Sequence, residues 1–411
     1  MTQLTANHRW PTDARRETLR LRYDRRVTVL TDEQAALREA VRELADERVA
    51  PRATEIDAKS EFPWDIVELL AKHDILALPY PAEYGGLGGD MLSVLLAIEE
   101  LSRVCATSGL ILAVHELSAL PLLNAGTAEQ KQRWVPDLAA GKMLAAFALT
   151  ESGAGSDAAS LRTRAVRDGD HWLVNGEKRF ISQGDVAGIV AVFALTDSDS
   201  AAVKAKRHLS CFYVEKDTPG FSVPRLEHKM GIRGSTTAEL SFTDARVPDA
   251  NRVGDTGDGW ELAMKTFERS RPGIGAQAVG IAQGALDAAL EYANQRRQFG
   301  KHIGEHQMVA AMLADMATRT EAARQLLWAA AERISAGDPA AARWAAMAKL
   351  FGGDTAMAVT TDAVQVLGGY GYTTEYPVER MMRDAKITQL YEGTQQIQRL
   401  IIARDLLAGQ E

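Results

Sequence analysis

The spacing of apolar side chains changes twice along the chain. Apolar residues recur at helical spacing from 31 to about 145, in short alternating runs from 147 to about 256, and at helical spacing again from Trp260 onward. A helix repeats about every 3.6 residues and a strand every second residue, so these stretches differ in secondary structure. We therefore expect an α+β multidomain fold, with an N-terminal helical domain, a middle antiparallel β domain and a C-terminal four-helix bundle.

The domain boundaries follow from the same changes. A chain of 411 residues is too long for one ordinary core. We predict an Arg-rich N-terminal extension over 1–30, the N-terminal helical domain over 31–146, the β domain over 147–258 and the bundle over 259–411.

Turn dipeptides divide the β domain. Asn175-Gly176 follows an apolar run and predicts a hairpin turn, because both residues tolerate positive φ. Asp168-Gly169 and Pro219-Gly220 predict further turns. The bundle is expected to contain four long helices, near 260–296, 306–336, 340–367 and 376–407.

Composition excludes several classes of protein. The net charge of -8 argues against a nucleic-acid binder, and no run approaches the roughly 20 apolar residues of a membrane span. Cys105 and Cys211 both lie in apolar runs, so we expect buried thiols in a reducing compartment. No Cys/His cluster has the spacing of a metal site.

The first 30 residues contain seven arginines and no apolar core, which excludes a secretory signal. Transit peptides are poor in acids, whereas Asp13, Glu17 and Asp24 interrupt this segment. We expect a cytoplasmic protein, with the mitochondrial matrix as the alternative.

Five strings together resemble the acyl-CoA dehydrogenase family. They are FALTESGAGSDAASL (147–161), MGIRGSTTAELSFTDARVP (230–248), RRQFGKHIGEHQ (296–307), AVQVLGGYGYTTEYPVERMMRDAKI (363–387) and YEGTQQIQRLIIAR (391–404). The resemblance implies FAD-dependent α,β-dehydrogenation of an acyl-CoA to the trans-2-enoyl-CoA, with flavin N5 as the hydride acceptor. It also implies a homotetramer, built as a dimer of dimers, and an electron-transferring flavoprotein as the oxidant.

Glu392 is the candidate catalytic base. It precedes Gly393, which can bring backbone close to a ligand, although an acid stabilising the first turn of a helix is the ordinary alternative. The resemblance identifies Glu392 as the base that removes the α-proton. Some members carry their base at the position of Ser270, which cannot take a proton, and Arg271 matches an arginine beside base and substrate.

The resemblance also implies a flavin cradle. Thr150, Ser156, Phe180 and Ser182 match residues that contact the flavin or, for Ser156, the CoA; Phe180 stands where many members have tryptophan. The remaining matches, several of which reach a neighbouring subunit's FAD in the family, are Phe147, Arg296, Gln298, Phe299, Gln365, Gly368, Gly369, Thr394 and Gln396.

The substrate is expected to contact Ser156, Phe267, Arg271, Tyr391 and Gly393. The acyl pocket should be framed by the helix after the Gly-rich turn at 84–89, by 107–124, by 264–275 and by the turn 391–393. His115 and Glu116 are expected to be solvated or bonded to nearby backbone, with a polar pocket floor as the alternative. The acyl chain is expected to be short or medium in length.

Three other functions are considered. An acyl-CoA oxidase would return electrons to O2, and a related dehydrogenase would act on an acyl carrier protein thioester. A non-catalytic scaffold would have lost the base or the flavin donors, but Glu392, Thr150, Ser182 and Arg296 are all present.

Overall fold

The computed structural model describes residues 29–408, so the predicted Arg-rich extension lies outside the described residues up to residue 28. The succession of helical, β and helical domains is confirmed.

Six helices form the first domain. Thr31 begins it with a capping box, in which its side chain accepts from the backbone of Gln34 and the Gln34 side chain accepts from the backbone of Thr31. The helices are α1 (Asp32–Leu44), α2 (Ala53–Lys59), α3 (Trp64–Lys72), α4 (Met91–Val104), α5 (Ala106–Ala125) and α6 (Ala128–Ala139).

Helix α5 is the central helix of this domain. Among the described residues it alone is long and apolar enough to cross a membrane, but 94% of its most apolar window is buried inside the protein. Its apolar character is therefore explained by its position in the core.

The middle domain is one sheet with a short helix. Its elements are β1 (Ala145–Ala148), β2 (Arg164–Asp168), β3 (His171–Ser182), β4 (Ile189–Leu195), α7 (Ser200–Lys204), β5 (Leu209–Glu215), β6 (Phe221–Leu226), β7 (Thr237–Pro248) and β8 (Arg252–Val253). The strand order is β6-β7-β3-β2-β4-β5-β8, and β1 pairs with β4. Most pairs are antiparallel as predicted, but β1 and β2 both run parallel to β4.

The prediction of a hairpin turn at Asn175-Gly176 is wrong. Both residues lie inside β3, where the register against β7 shifts between Val174 and Gly176. Gly176 has φ 144°, and an added Cβ would stand 2.6 Å from Thr163 Oγ1. Gly176 therefore lies in a β-bulge and not in a turn, and the bulge requires a residue without a side chain at this position. The hairpin turn lies earlier, at Gly169-Asp170 between β2 and β3, where the Asp168-Gly169 dipeptide predicted a turn.

The last domain contains three long helices and two shorter ones. Its elements are α8 (Gly259–Gln295), β9 (Arg297–Gln298), β10 (Lys301–His302), α9 (Gln307–Ser335), α10 (Ala341–Leu367), α11 (Val378–Ala385) and α12 (Gln395–Ala408). The predicted fourth helix is broken, because a 3-10 turn at Lys386–Gln389 and the irregular segment 390–394 separate α11 from α12. Glu392 lies in that break.

Glycines bring the first and last domains together. An added Cβ on Gly284 of α8 would stand 1.9 Å from the carbonyl oxygen of Arg103, and one on Gly280 would stand 2.2 Å from that of Glu99. Helices α4 and α8 therefore pack at backbone contact. This packing fixes α8, which carries Ser270 and Arg271, against the helices of the first domain.

Candidate active site

Glu392 lies on a tight turn made by two residues with left-handed backbone. Its φ is 50° and that of Gly393 is 87°. A non-glycine residue in this region costs roughly 1–2 kcal/mol, so the surroundings must hold it there. The amide of Gln398 does so by donating to the carbonyl oxygens of Glu392 at 3.0 Å and of Gly393 at 2.9 Å.

The carboxylate of Glu392 accepts a hydrogen bond from the hydroxyl of Ser270, and no second carboxylate stands at that position. Ser270 Oγ donates to Glu392 Oε2 at 2.6 Å. Burial raises the pKa of Glu392, and the Ser270 hydrogen bond and the charges of Arg271 and Lys349 oppose that rise. A desolvated carboxylate whose pKa is raised is a stronger base than one in water. Ser270, at the position that the resemblance gave for the base of some family members, thus donates a hydrogen bond to the Glu392 carboxylate here.

A cavity of about 470 Å³, which we call the base cavity, opens beside Glu392. Helices α5, α8 and α12 and the sheet with its loops supply its walls, mostly with apolar side chains. From the helices come Leu110, Val114, Leu117, Met264, Phe267, Arg271 and Ile274, and from the sheet and its loops come Phe147, Thr150, Ser156, Phe180 and Ser182. Helix α4, which follows the Gly-rich turn and was expected to frame the pocket, contributes none of these residues.

Polar groups in the base cavity lack partners within the protein. Arg271 is 6% exposed, and its Nε is buried without a hydrogen bond to any described residue. The side-chain hydroxyls of Thr150, Ser156 and Ser182 line the cavity, and none bonds to a residue between 29 and 408. Because buried polar groups are usually paired, the unpaired Nε of Arg271 is suited to bind a ligand, and the half-buried hydroxyls of Thr150 and Ser182 and the exposed hydroxyl of Ser156 are accessible to it.

Phe180 presents an aromatic face to the same cavity. It is 60% exposed and has φ 58°, a conformation that few bulky residues adopt. The register of β3 against β7 shifts between Lys178 and Ile181, so the irregular strand turns Phe180 toward the cavity that it lines. A flat ring with nearby hydroxyls fits a flavin ring system.

A buried ion pair supports the loop that carries Thr150. Lys178 is fully buried, and its Nζ donates to Glu151 Oε1 at 2.8 Å and to the Leu149 carbonyl at 3.0 Å. Glu151 also accepts from the backbone of Arg162 at 2.6 Å and of Thr163 at 2.9 Å. Burial lowers the pKa of Lys178 to about 8, against the effect of Glu151.

Other predicted flavin contacts lie around a second cavity of about 490 Å³, which we call the hairpin cavity because it adjoins β9 and β10. Arg296, Gln298 and Gly369 line it, and the Arg296 guanidinium lies 5.6 Å from the centroid of the Tyr370 ring. The two cavities have no lining residue in common.

The last predicted contacts lie on the surface near these elements. Phe299 is 94% exposed, and Gln365, Gly368 and Gln396 are exposed as well. Thr394 lies at the start of α12, where its Oγ1 accepts from the backbone of Ile397 at 3.3 Å. Within one chain, therefore, the predicted cofactor residues do not form one continuous site.

Of the two expectations for His115 and Glu116, solvation is wrong for both residues, and a bond to nearby backbone is confirmed for His115. Both are buried on α5, although His115 Nε2 does lie 2.9 Å from the carbonyl oxygen of Leu138. Burial lowers the pKa of His115 to about 4 and raises that of Glu116 to about 7. Cys105 and Cys211 are buried, as predicted.

Sequence reasoning missed the side chains that support the site. Lys349, Gln398 and the Lys178–Glu151 pair were not identified. One signal was available for Lys349, because it follows the buried stripe of Ala345 and Ala348 on α10 at helical spacing. A lysine on such a stripe predicts a buried charge.

A carboxylate with a raised pKa beside a largely apolar cavity with an unpaired buried donor is an arrangement typical of enzyme active sites. The chain matches three family descriptions: "Acyl-CoA dehydrogenase, N-terminal domain" over 31–142, "Acyl-CoA dehydrogenase, middle domain" over 146–245 and "Acyl-CoA dehydrogenase, C-terminal domain" over 257–407.

Known proteins resemble the chain along almost their whole length. The "Acyl-CoA dehydrogenase" of Bacillus subtilis is 48% identical over 381 residues, covering 92% of this chain and 99% of the relative. Butyryl-CoA dehydrogenase from Megasphaera elsdenii is 41% identical, with a TM-score of 0.89 and coverage of 92% and 99% of the two chains. A chain in the structure described as "Electron transferring flavoprotein of Acidaminococcus fermentans" is 44% identical, with the same TM-score and coverage.

The chain belongs to the acyl-CoA dehydrogenase family and is an oxidoreductase that acts on the CH–CH group of acyl-CoA substrates.

Proposed function

We propose that the chain oxidises a short- or medium-chain acyl-CoA to the trans-2-enoyl-CoA, with Glu392 as the base at Cα and FAD as the acceptor of the β-hydride. The observation that carries this proposal is the Glu392 carboxylate at the base cavity, with its pKa raised and with the cavity's sheet side lined by Phe180, Thr150 and Ser182. The name of the Megasphaera relative favours the short-chain end of the range.

The residues around Glu392 would prepare the thioester for proton loss. The backbone N–H of Glu392 has no acceptor among the described residues, so it can donate to a thioester carbonyl. Negative charge that develops on that oxygen would be stabilised by such a donor. Glu392 would then remove the α-proton, while the apolar walls from α5 and α8 keep water away from the carboxylate.

The same cavity supports FAD as the cofactor. Thr150 and Ser182 would donate to or accept from the edge of the ring system, and Phe180 would cover its face. When bound, FAD supplies the two-electron acceptor, and an electron-transferring flavoprotein would receive the electrons afterwards. The relative described with such a flavoprotein supports that partner.

A panel of acyl thioesters tests the reaction. We expect a short- or medium-chain acyl-CoA to bleach the flavin absorbance under anaerobic conditions, because the substrate delivers two electrons to the ring. Carrier-protein thioesters of the same acyl groups are the control for the thiol portion. Fast reoxidation by oxygen in the presence of product would instead indicate an oxidase, and absence of bleaching with every thioester would contradict the proposal.

We also propose a homotetramer, built as a dimer of dimers, that completes the cofactor site. Residues predicted for one FAD line two cavities without common residues, which supports a site shared between chains. Arg296 at the hairpin cavity would then meet the pyrophosphate of a neighbouring chain's FAD, since a guanidinium offers a charged fork.

Dilution tests this sharing. We expect the flavin to co-elute with the tetramer in size exclusion and to be lost as dilution produces monomers, because each monomer would hold only part of the site. Flavin absorbance and light scattering of the same peak give both quantities. A monomer that keeps its flavin and full activity would contradict the shared site.

A further inference from the structure

Two side chains of α10, Lys349 and Asp354, make hydrogen bonds to the segment that carries Glu392. Lys349 Nζ donates to the carbonyl oxygen of Gly393 at 2.7 Å and to Gln395 Oε1 at 3.2 Å. One turn further along, Asp354 Oδ1 accepts from Gln389 Nε2 at 2.7 Å and from Gln395 Nε2 at 2.9 Å. The segment 389–395 is therefore attached to α10 on both sides of Glu392.

A lysine is an unusual donor for the contacts that Lys349 makes with Gly393 and Gln395. Its side chain is fully buried, and both acceptors of Nζ are neutral. No carboxylate lies within salt-bridge distance of it in the described part of the chain. Burying an ammonium is costly, and a neutral donor could make the same hydrogen bonds. The positive charge itself therefore needs an explanation.

The charges around Lys349 point to Glu392. Burial lowers the pKa of Lys349 to about 8; the charges of Glu392 and Asp354 oppose this, and that of Arg271 adds to it. In turn, Lys349 is one of three groups that oppose the rise in the pKa of Glu392.

The groups that face Glu392 come from three helices. Helix α8 contributes Ser270 and Arg271, α10 contributes Lys349, and α5 contributes Glu116, whose pKa burial raises to about 7 with Arg269 opposing and Glu392 adding. Tyr391, the neighbouring residue, donates its hydroxyl to Gln277 Oε1. Lys349 and Arg271 are thus the cations that offset the cost of ionising Glu392 in this site.

We infer that Lys349 is a positioning residue for the base: it fixes the turn at Gly393 and supplies a buried positive charge that keeps Glu392 ionised. This role rests on the proposed function of Glu392. Lys349 acts through the carboxylate and the turn, so its effect depends on pH in a way that a purely structural residue would not produce.

The acid limb of the pH–rate profile, where the rate rises with pH, tests the role of the Lys349 charge. In the wild-type holoenzyme, the rate of flavin reduction should rise with pH through an apparent pKa above that of an ordinary glutamate, because the base must lose its proton and burial raises its pKa. In Lys349→Met the compensating charge is gone, so the limb should move about one pH unit higher, the size expected for loss of one nearby opposite charge. Lys349→Arg, which retains a charge, should stay near the wild type.

A second readout needs no turnover. Infrared titration of the carboxyl band that Glu392→Gln removes follows the ionisation of Glu392 directly, and its midpoint should also rise in Lys349→Met. A protein that oxidises no thioester could still give this shift, so the failure of the proposed reaction and the failure of this inference are distinguishable.

Lys178→Met is the matched control, because Lys178 is equally buried and also donates to a backbone carbonyl. It should leave the midpoint of the infrared titration at its wild-type value, a readout that does not depend on how well the variant retains flavin. If Lys349→Met does not fold, Lys349→Gln keeps a donor for Gly393 and serves the same test. A folded neutral variant with wild-type flavin content and unchanged midpoints in both titrations would overturn the inference.

Discussion

Glu392→Gln is expected to lower the rate of flavin reduction by about 10³-fold or more, near the upper range for loss of a general base. Glutamine keeps the size of the side chain and can still accept from Ser270, whose Oγ lies 2.6 Å from Glu392 Oε2. It cannot take the α-proton. Anaerobic stopped-flow bleaching of the flavin by the best thioester of the panel measures the loss.

Ser270→Ala is the matched control for this variant. It removes the partner of the same carboxylate and leaves the base in place, so the rate at high pH should change by at most about tenfold, the effect of one hydrogen bond. Both variants should hold flavin as the wild type does. Bleaching of Glu392→Gln at the wild-type rate would show that another group removes the proton.

Glu151→Ala is expected to release the flavin and to destabilise the chain by about 3 kcal/mol, the lower range for a buried charge left without its partner. Lys178 is fully buried and would keep only the Leu149 carbonyl as an acceptor. The backbone N–H groups of Arg162 and Thr163 would lose their acceptors as well. Flavin content per chain and the thermal midpoint measure the two effects.

Glu151→Gln separates the charge from the hydrogen bonds. Its amide oxygen can still accept from the backbone of Thr163 and from Lys178, as Glu151 Oε1 does, whereas the backbone N–H of Arg162, which donates to Oε2, would lose its acceptor. The loop that carries Thr150 should therefore keep more of its contacts than in Glu151→Ala, and the loss of flavin should be smaller. Both variants leave Glu392 untouched. A Glu151→Ala protein with wild-type flavin content and thermal midpoint would contradict a supporting role for the ion pair.

The sequence predicted the large elements because their causes are local. The change from helical to alternating spacing near residue 147 reflects burial on one face of each element, and β1 indeed begins at Ala145. The motif around Glu392 also led, by resemblance, to the proposal that this residue is the base. These features depend on residues near one another in the chain.

Features that depend on distant partners could not be predicted in this way. The local sequence Asn175-Gly176 predicts a turn, and only the close approach of Thr163 explains why Gly176 lies in a bulge. The turn before α12 is held by Lys349, which lies 44 positions from Gly393 in the sequence. The burial of Glu116 likewise follows from how α5 packs in the core.

The contact between Ser270 and Glu392 has a consequence for how this enzyme family could change over time. Residues 122 positions apart bring their side chains to within 2.6 Å of each other, one from a long helix and one from a turn. A carboxylate at either position would reach nearly the same point in space. Two substitutions could therefore exchange the positions of the carboxylate and the hydroxyl in the sequence, while the point in space that the carboxylate occupies stays nearly the same.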